Sequence, residues 1–307
     1  TIRQQPTVRR CVRALRRDRY LYLMMLLPLA YFIVFQYVPM YGVTLAFKTF
    51  DIGKGILGSP WVGFRHFQEF LSNPYSYRVI RNTIVLRLWQ VALGFPAPIV
   101  LALLLNELRN EKFKRLVQTS TYLPHFVSVV VVCGMIVSFL AADGPVNSII
   151  KALGGQPRPW LTLPEWFRPI YTLSGVWQHT GWGSVIYLAT LAGINPELYE
   201  AAVIDGASRW QRLRYITVPC IMPTVTIMFL LQIGQILHVG YQKVLLLYTG
   251  ATYETADVLG TYIYRRGIQG ADFEFATAVG LFESLVGLLF VVAANAVARR
   301  LGETSLW

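Results

Sequence analysis

Long apolar runs alternate along this chain with short polar or basic segments. A helix needs about 20 mostly apolar residues to cross the hydrocarbon core of a bilayer, and several runs reach that length. We predict six such helices, at residues 20–47, 83–105, 116–142, 170–194, 219–247 and 275–297. The predicted fold class is all-α, a polytopic membrane protein with six transmembrane helices.

Composition leaves little of the chain for anything else. Of the 307 residues, 54% are hydrophobic and 14% are charged, so a separate soluble domain has no room beside the apolar runs. We predict a basic cytoplasmic segment at 1–19 and a transmembrane domain at 20–297. That domain contains a cytoplasmic loop at 195–219, and a cytoplasmic tail follows at 298–307.

Basic residues set the predicted orientation, because loops on the cytoplasmic side carry an excess of Lys and Arg. Sixteen of these residues fall among the 63 positions of four segments: 1–19, 106–115, 195–218 and 298–307. Ten fall among the 89 positions of the three alternating segments: 48–82, 143–169 and 248–274. Both termini and the loop at 195–219 are therefore expected in the cytoplasm.

The net charge of +12 does not indicate nucleic-acid binding, since most of it flanks the predicted spans. The arginines of the first 19 residues are expected against anionic membrane lipids. A cleavable signal peptide is not expected, because the following apolar run far exceeds the roughly 7–15 residues of a signal core. Cys11 and Cys220 are predicted on the cytoplasmic side and Cys133 inside a span, so no outer disulfide is expected.

The cytoplasmic loop carries the signals of one helix followed at once by another. Asn195 is a preferred N-cap, and Pro196 at the first helical position costs no hydrogen bond. Gly206 is placed to end that helix in a left-handed conformation. Ser208, with Gln211 three residues later, predicts a capping box at the start of the second helix. A helix-turn-helix held between two membrane spans is suited to transmitting motion from a soluble partner.

Within this loop, Glu200-Ala201-Ala202 and Gly206 are followed, after nine residues, by Ile216-Thr217-Val218-Pro219. The pattern resembles the cytoplasmic loop signature of binding-protein-dependent ABC importer permeases: E-A-A-x-x-x-G, nine residues, I-x-L-P. It departs from that signature only in having valine for leucine. By this resemblance, the residues that couple the chain to an ATPase are Glu200, Ala201, Ala202, Asp205, Gly206 and Pro219.

The resemblance implies a type I ABC importer permease bundle and a set of partners. These are a second homologous permease subunit, a homodimeric ATP-binding subunit that holds ATP and Mg, and a periplasmic solute-binding protein. The implied location is the bacterial cytoplasmic (inner) membrane, with no cofactor in this chain itself.

The implied cargo is a carbohydrate. Trp61-Val62-Gly63 and Arg81-Asn82-Thr83 are similar to short stretches in sugar-importing members of the family. The whole sequence looks most like the polysaccharide-permease branch, and in particular like membrane subunits of alginate importers. An oligo- or polysaccharide, acidic and alginate-like, is therefore the expected cargo.

No motif for catalysis is found. The sequence has no G-x-x-x-x-G-K-[ST] phosphate loop, no H-E-x-x-H, no cysteine pair at zinc spacing and no G-x-S-x-G turn, so we expect no enzyme activity. The four histidines lie on separate segments, and no metal site is expected. The alternative function is a gradient-driven sugar carrier, which predicts inverted repeats that we do not find.

Polar side chains inside membrane spans are costly, and by default they line a cavity or pair with one another. Four in the fifth predicted span recur at spacings of three, three and four residues, which puts them on one stripe of a continuous helix. Other polar and aromatic side chains, in the fourth span, could bond sugar hydroxyls or stack on a sugar ring. The same residue types also occur in hydrogen bonds between helices and in the aromatic belts at membrane–water interfaces. The candidate substrate path is Gln178, His179, Trp182, Gln232, Gln235, His238, Gln242 and Lys243.

Three deep polar groups remain, Arg87 and Gln90 in the second span and Glu283 in the sixth. We expect Arg87 and Glu283 to pair, because an unpaired charge inside the bundle is costly. The outer segment 61–71 predicts an amphipathic helix, either at the lipid interface or as part of a docking rim for a binding protein.

Overall fold

The computed structural model describes residues 17–300, and in that part of the chain it is a bundle of helices without strands. Cys11, most of the basic segment 1–19 and most of the tail 298–307 lie outside the described residues. The α-helices are α1 (Arg19–Phe32), α2 (Gly55–Gly58), α3 (Arg65–Ser72), α4 (Pro74–Gly94), α5 (Pro96–Glu107), α6 (Glu111–Tyr122), α7 (Val129–Leu140), α8 (Pro145–Ala152), α9 (Pro164–Ala192), α10 (Pro196–Ile204), α11 (Arg209–Arg212), α12 (Val218–Ile233), α13 (Tyr241–Leu247), α14 (Tyr253–Ala256), α15 (Leu259–Ile263) and α16 (Phe273–Arg300). Shorter 3-10 or π segments are Ile33–Tyr37, Val38–Phe47, Leu123–Phe126, Trp160–Thr162, Leu213–Thr217, Gly250–Thr252 and Tyr264–Gln269.

Among residues 17–300, five helical runs are long and apolar enough to cross a membrane: Arg19–Phe47, Pro74–Glu107, Val129–Ala152, Arg209–Ile233 and Phe273–Arg300. Each overlaps one predicted span. The remaining predicted span, 170–194, falls on α9, which has 29 residues but is not among the five. Polar positions such as Gln178 and His179 make it less apolar than the others. The all-α membrane class is confirmed, and the count of six depends on α9.

The third predicted span is not one helix. Residues 116–142 are divided between α6 and α7 by a 3-10 turn, Leu123–Phe126. Pro124 in that turn lacks the N–H that a continuous helix would use, and the Ser128 side chain caps the new helix. The prediction of a continuous span here was wrong because local chemistry restarts the helix.

The fifth predicted span, 219–247, is also broken, since α12 ends at Ile233 and α13 begins at Tyr241. The break begins where α12 crosses α16 at two glycines. A Cβ on Gly234 would collide with the Val291 side chain, and a Cβ on Gly287 would lie 2.6 Å from the Gly234 carbonyl oxygen. This close crossing involves residues more than fifty positions apart, so the prediction of a continuous helix missed it.

Helix α9 is the centre of the bundle and packs on α4, α5, α6, α12 and α13. Small residues permit these contacts. A Cβ on Gly181 would collide with the backbone of Thr121 in α6, and a Cβ on Gly183 would lie 3.0 Å from the Pro98 ring in α5. By contrast, α1 stands away from the bundle, and its Leu23 is 73% exposed. An apolar surface of this kind meets lipid tails or another subunit.

On the side predicted to face outward, an ion pair between Asp257, just before α15, and Arg265, just after it, is contacted by Tyr75 of α4. The Asp257 carboxylate has no exposed surface and accepts hydrogen bonds from Arg265 at 2.6 and 2.7 Å, from Thr261 at 2.6 Å and from the Tyr75 hydroxyl. These bonds to Asp257 raise the pKa of the Arg265 guanidinium above its usual value. The pair holds the last outer segment against the start of α4.

Candidate functional site

The loop at 195–219 folds as the sequence predicts. The Asn195 side chain accepts a hydrogen bond from the backbone N–H of Glu197 at 3.1 Å, at the start of α10. That helix is followed by Gly206, whose φ of +76° is left-handed. Ser208 and Gln211 form the predicted capping box, with distances of 3.3 and 2.7 Å. Both helices of the loop therefore have satisfied ends, which favours a rigid hairpin.

The signature residues of this loop are presented at the surface. Five of the six are exposed, and Ala202 is half-buried. Ile204 is 86% exposed and lies between Glu200 and Asp205 on the exposed helix end. A protruding apolar side chain flanked by carboxylates fits a surface that another protein covers.

The loop is connected to both long helices that flank it. Helix α9 ends at Ala192, three residues before Asn195. The Tyr199 hydroxyl lies 3.0 Å from the Thr217 hydroxyl, which is buried immediately before α12. The chain connection and this hydrogen bond therefore link α10 to both α9 and α12.

Away from the loop, α9 borders two adjoining cavities, of about 570 and 160 Å³, and α12 reaches the smaller one at Gln232. Both cavities have Arg87, Gln90, Gly175 and His179 in their walls. The larger is also lined by Val129, Tyr171, Gln178, His238, Gly240, Tyr241, Gln242 and Lys243. The smaller is also lined by Gly94, Pro98, Thr172, Val176, Thr180 and Gln232.

Six of the eight predicted substrate-path residues thus line these cavities. Gln235 does not, because it borders a separate cavity of about 300 Å³ together with His238. Trp182 is also apart, with its ring stacked on His125 at 5.0 Å between centroids. Gln178 lines the larger cavity, but its side-chain amide also donates to the Val127 carbonyl at 3.1 Å. It thereby provides a hydrogen-bond partner for a backbone carbonyl in the break between α6 and α7.

The predicted polar stripe of the fifth span does not exist as one helical face. Gln232 lies on α12, Gln235 and His238 lie in the connection, and Gln242 and Lys243 lie on α13. The spacing predicted a common face only for an unbroken helix. The break nevertheless leaves most of these residues around the cavities.

The predicted pair of Arg87 and Glu283 is not formed. Glu283 Oε1 lies 3.1 Å from His238 Nδ1, which the break brings to α16. Arg87 donates instead to the Gln90 side chain and the Gln232 backbone carbonyl, each at 3.4 Å, and its Nε has no partner. Among the described residues, the side-chain hydrogen bonds of Arg87 go to these two neutral oxygens.

The two cavities have a positive lining. Lys243 is 8% exposed, and its ammonium donates to the Tyr171 carbonyl at 3.1 Å and lies 4.9 Å from the centre of that ring. Together with Arg87 it supplies the formal positive charges of the lining, and none of the lining residues is Asp or Glu. Within residues 17–300, no group of three or more His, Cys, Asp or Glu is arranged to hold a metal ion.

Sequence reasoning missed part of this lining. Tyr171 and Gly175 precede His179 at spacings of four on α9, so helical periodicity from His179 could have found them. Arg87 and Gln90 were noted as deep polar groups but were not assigned to the path. Gly240 gave no such signal, because the break that exposes it depends on the crossing with α16.

The chain matches a known family over most of its length. The family described as "Binding-protein-dependent transport system inner membrane component" matches residues 94–303. The polygalacturonan/rhamnogalacturonan transport system permease protein YteP of Bacillus subtilis (strain 168) is 41% identical over 292 residues, which cover 95% of this chain and 91% of that protein.

Two solved structures are similar along nearly the whole chain. One is a bacterial ABC transporter involved in the import of the acidic polysaccharide alginate, with 44% identity, a TM-score of 0.87 and coverage of 95% of this chain and 99% of that chain. The other is a bacterial alginate ABC transporter in complex with an alginate pentasaccharide-bound periplasmic protein, with 43% identity, a TM-score of 0.88 and coverage of 96% and 99%. The similarity therefore includes both the loop at 195–219 and the cavities.

Proposed function

Because the chain belongs to the family of binding-protein-dependent transport system inner membrane components and is a permease subunit of a carbohydrate ABC importer, we propose that its cargo is an acidic oligo- or polysaccharide of the alginate type. The observation that carries this proposal is the cavity pair, which has two fixed cations and no acidic residue in its lining. Carboxylates on the sugars would form charge-assisted hydrogen bonds with those cations. The similarity to transporters of alginate and of polygalacturonan supports the proposal, since both polymers carry carboxylates.

The same proposal includes the partners. A homodimeric ATP-binding subunit would cover the exposed end of α10, where Ile204 protrudes between Glu200 and Asp205. A second homologous permease subunit would complete the pathway, and a periplasmic solute-binding protein would deliver the cargo. The alginate transporter that binds a periplasmic protein supports this last partner. The chain would lie in the bacterial cytoplasmic membrane with both termini inside, as the distribution of basic residues favours.

Energy from ATP would reach the cavity through two helices. Closure of the ATP-binding dimer would displace α10, and the contact of Tyr199 with Thr217 would carry that displacement into α12. The 16 residues of α12 span about 24 Å, which reaches from the loop to Gln232 at the smaller cavity. Transport then requires only that the cargo contacts differ between the two arrangements of these helices.

Uptake by liposomes tests the cargo. The complete transporter and its binding protein are reconstituted with ATP sealed inside, and uptake of a fluorescent alginate trisaccharide is compared with that of maltotriose. We expect ATP-dependent uptake of the alginate trisaccharide and little uptake of maltotriose. Liposomes without ATP are the control. Preference for maltotriose, or equal uptake without ATP, would contradict the proposal.

A further inference from the structure

We infer that Arg87 and Lys243 together form the site that recognises a sugar carboxylate, so that this cavity itself selects acidic cargo. The inference rests on the proposed function, since it names the residues that would give the importer its preference. It assigns a specificity role to Arg87, which lies on α4, and joins it to Lys243 on α13 across the same cavity.

Lys243 is a buried cation with hydrogen-bonding capacity to spare. An ammonium group has three donors, and the Tyr171 carbonyl at 3.1 Å takes one of them. The Tyr171 ring adds a cation–π attraction to the ammonium but accepts no further conventional hydrogen bond from it. A buried charge with a single neutral acceptor is costly unless an anion completes its shell. The cavity is the side from which that anion can come.

Arg87 is under-satisfied in the same cavity. Its two hydrogen bonds, to Gln90 and to the Gln232 carbonyl, are 3.4 Å long, beyond the usual range for N–H donors. Its Nε atom is buried without a partner. A guanidinium presents a planar fork that matches a carboxylate, so an incoming carboxylate would replace weak neutral contacts with a charged pair.

Within the part of the chain that the structure describes, neither cation forms an ion pair with a carboxylate. The ion pairs formed among residues 17–300 include neither Arg87 nor Lys243. The acid that sequence analysis expected beside Arg87, Glu283, is engaged by His238 instead. In the outer segment, by contrast, Arg265 has its own buried carboxylate in Asp257.

Gly175 keeps the space beside the ammonium open. A Cβ at this position would stand 3.5 Å from the Lys243 nitrogen, and the residue lines both cavities. Any larger side chain would fill the volume into which a ligand oxygen must come. Amides in the same wall, Gln90 and Gln242, can bond the hydroxyls of the sugar that carries the carboxylate.

Equilibrium binding to the purified transporter complex, without binding protein, tests this assignment because only the permease then selects. The probes are an alginate trisaccharide and the same trisaccharide with its carboxyl groups reduced to alcohols. We expect Arg87→Gln or Lys243→Gln to weaken binding of the acidic probe about tenfold and to leave binding of the reduced probe unchanged. Arg87→Lys and Lys243→Arg keep the charge but change the donor geometry, so they should weaken binding of the acidic probe less than the Gln variants do. Lys151→Gln, at an exposed position, should change nothing.

The outcomes separate the two claims. In the first case, the wild-type complex prefers the acidic probe, but the Gln variants bind both probes equally more weakly or bind both as the wild type does. That result would overturn the carboxylate site and leave the proposed acidic cargo standing. A wild-type complex that binds the acidic probe no better than the reduced one would overturn the proposed acidic cargo and this inference with it. Thermal melting of each complex shows which variants retain the native fold. If a Gln variant does not fold, the variants that keep the charge still test the assignment.

Discussion

Gly181 is constrained by space, because a side chain there would enter the backbone of α6 at Thr121. We expect Gly181→Ala to destabilise the bundle by about 1–3 kcal/mol, as overpacking of a close helix contact does. Thermal melting of the purified transporter in detergent measures the effect. Gly280→Ala is the matched control, since a Cβ there meets nothing within 4 Å, and it should be neutral or slightly stabilising. Equal melting temperatures for both variants would refute the packing role of Gly181.

Gly206 is constrained by conformation instead of space. Its φ is +76°, and its N–H donates to the Val203 carbonyl at 3.1 Å, whereas a Cβ would meet nothing within 4 Å. Proline can provide neither the dihedral angle nor the hydrogen bond. Gly206→Pro should therefore abolish ATP-driven uptake while membrane insertion continues. Asparagine tolerates the left-handed conformation, so Gly206→Asn should retain most uptake. Loss of uptake in both variants would contradict a conformational role for Gly206.

The exposed charge of the same loop gives an independent test. Glu200 is exposed, so Glu200→Lys should leave the fold intact. If α10 docks on an ATP-binding subunit as proposed, the reversal should uncouple ATP hydrolysis from uptake. The measurement is the ratio of uptake to ATP hydrolysed in liposomes, and an unchanged ratio would count against docking at this position.

Among the elements, the outer segment is held by the buried pair of Asp257 and Arg265. Removing one partner of such a pair leaves an uncompensated buried charge, which costs about 3–5 kcal/mol. We expect Arg265→Leu to lower the melting temperature strongly, and addition of Asp257→Asn to restore part of the loss. Lys151→Leu, an exposed change on the same outer side, is the control. If Arg265→Leu melts like that control, the pair does not hold the segment.

Local signals predicted the ends of the loop helices, whereas the two breaks inside predicted spans were missed, one with a local cause at Pro124 and Ser128 and one at a distant helix crossing. The ends of α10 follow from Asn195, Gly206 and the capping box, all within a few residues of the ends they set. The break after α12 begins at the close crossing of Gly234 with Gly287, and no local pattern shows that these two residues meet. The pairing of Glu283 with His238 follows from that break, and so it could not be predicted either.

The candidate site shows the same division. Most of the predicted path residues do line the cavities, because a polar side chain in an apolar span is itself a signal. Arg87 carried that signal too, but its assignment to Glu283 required a spatial neighbour that the sequence could not give. Trp182 satisfied the chemistry of a sugar contact and nevertheless stacks on His125 away from the cavities.

At the scale of the whole molecule, α9 and α12 connect the exposed helix α10 to a positively lined cavity. This connection could drive transport if an ATP-binding subunit docks on α10, as proposed. A gradient-driven carrier would need no such partner.

Purification of the tagged chain from its native membrane in mild detergent, with mass spectrometry of what co-elutes, tests that claim most directly. The account predicts one copy of this chain with a second homologous permease subunit and two copies of an ATP-binding subunit that carries a phosphate loop. A homogeneous complex of this chain alone, active in liposomes under an ion gradient without ATP, would contradict it.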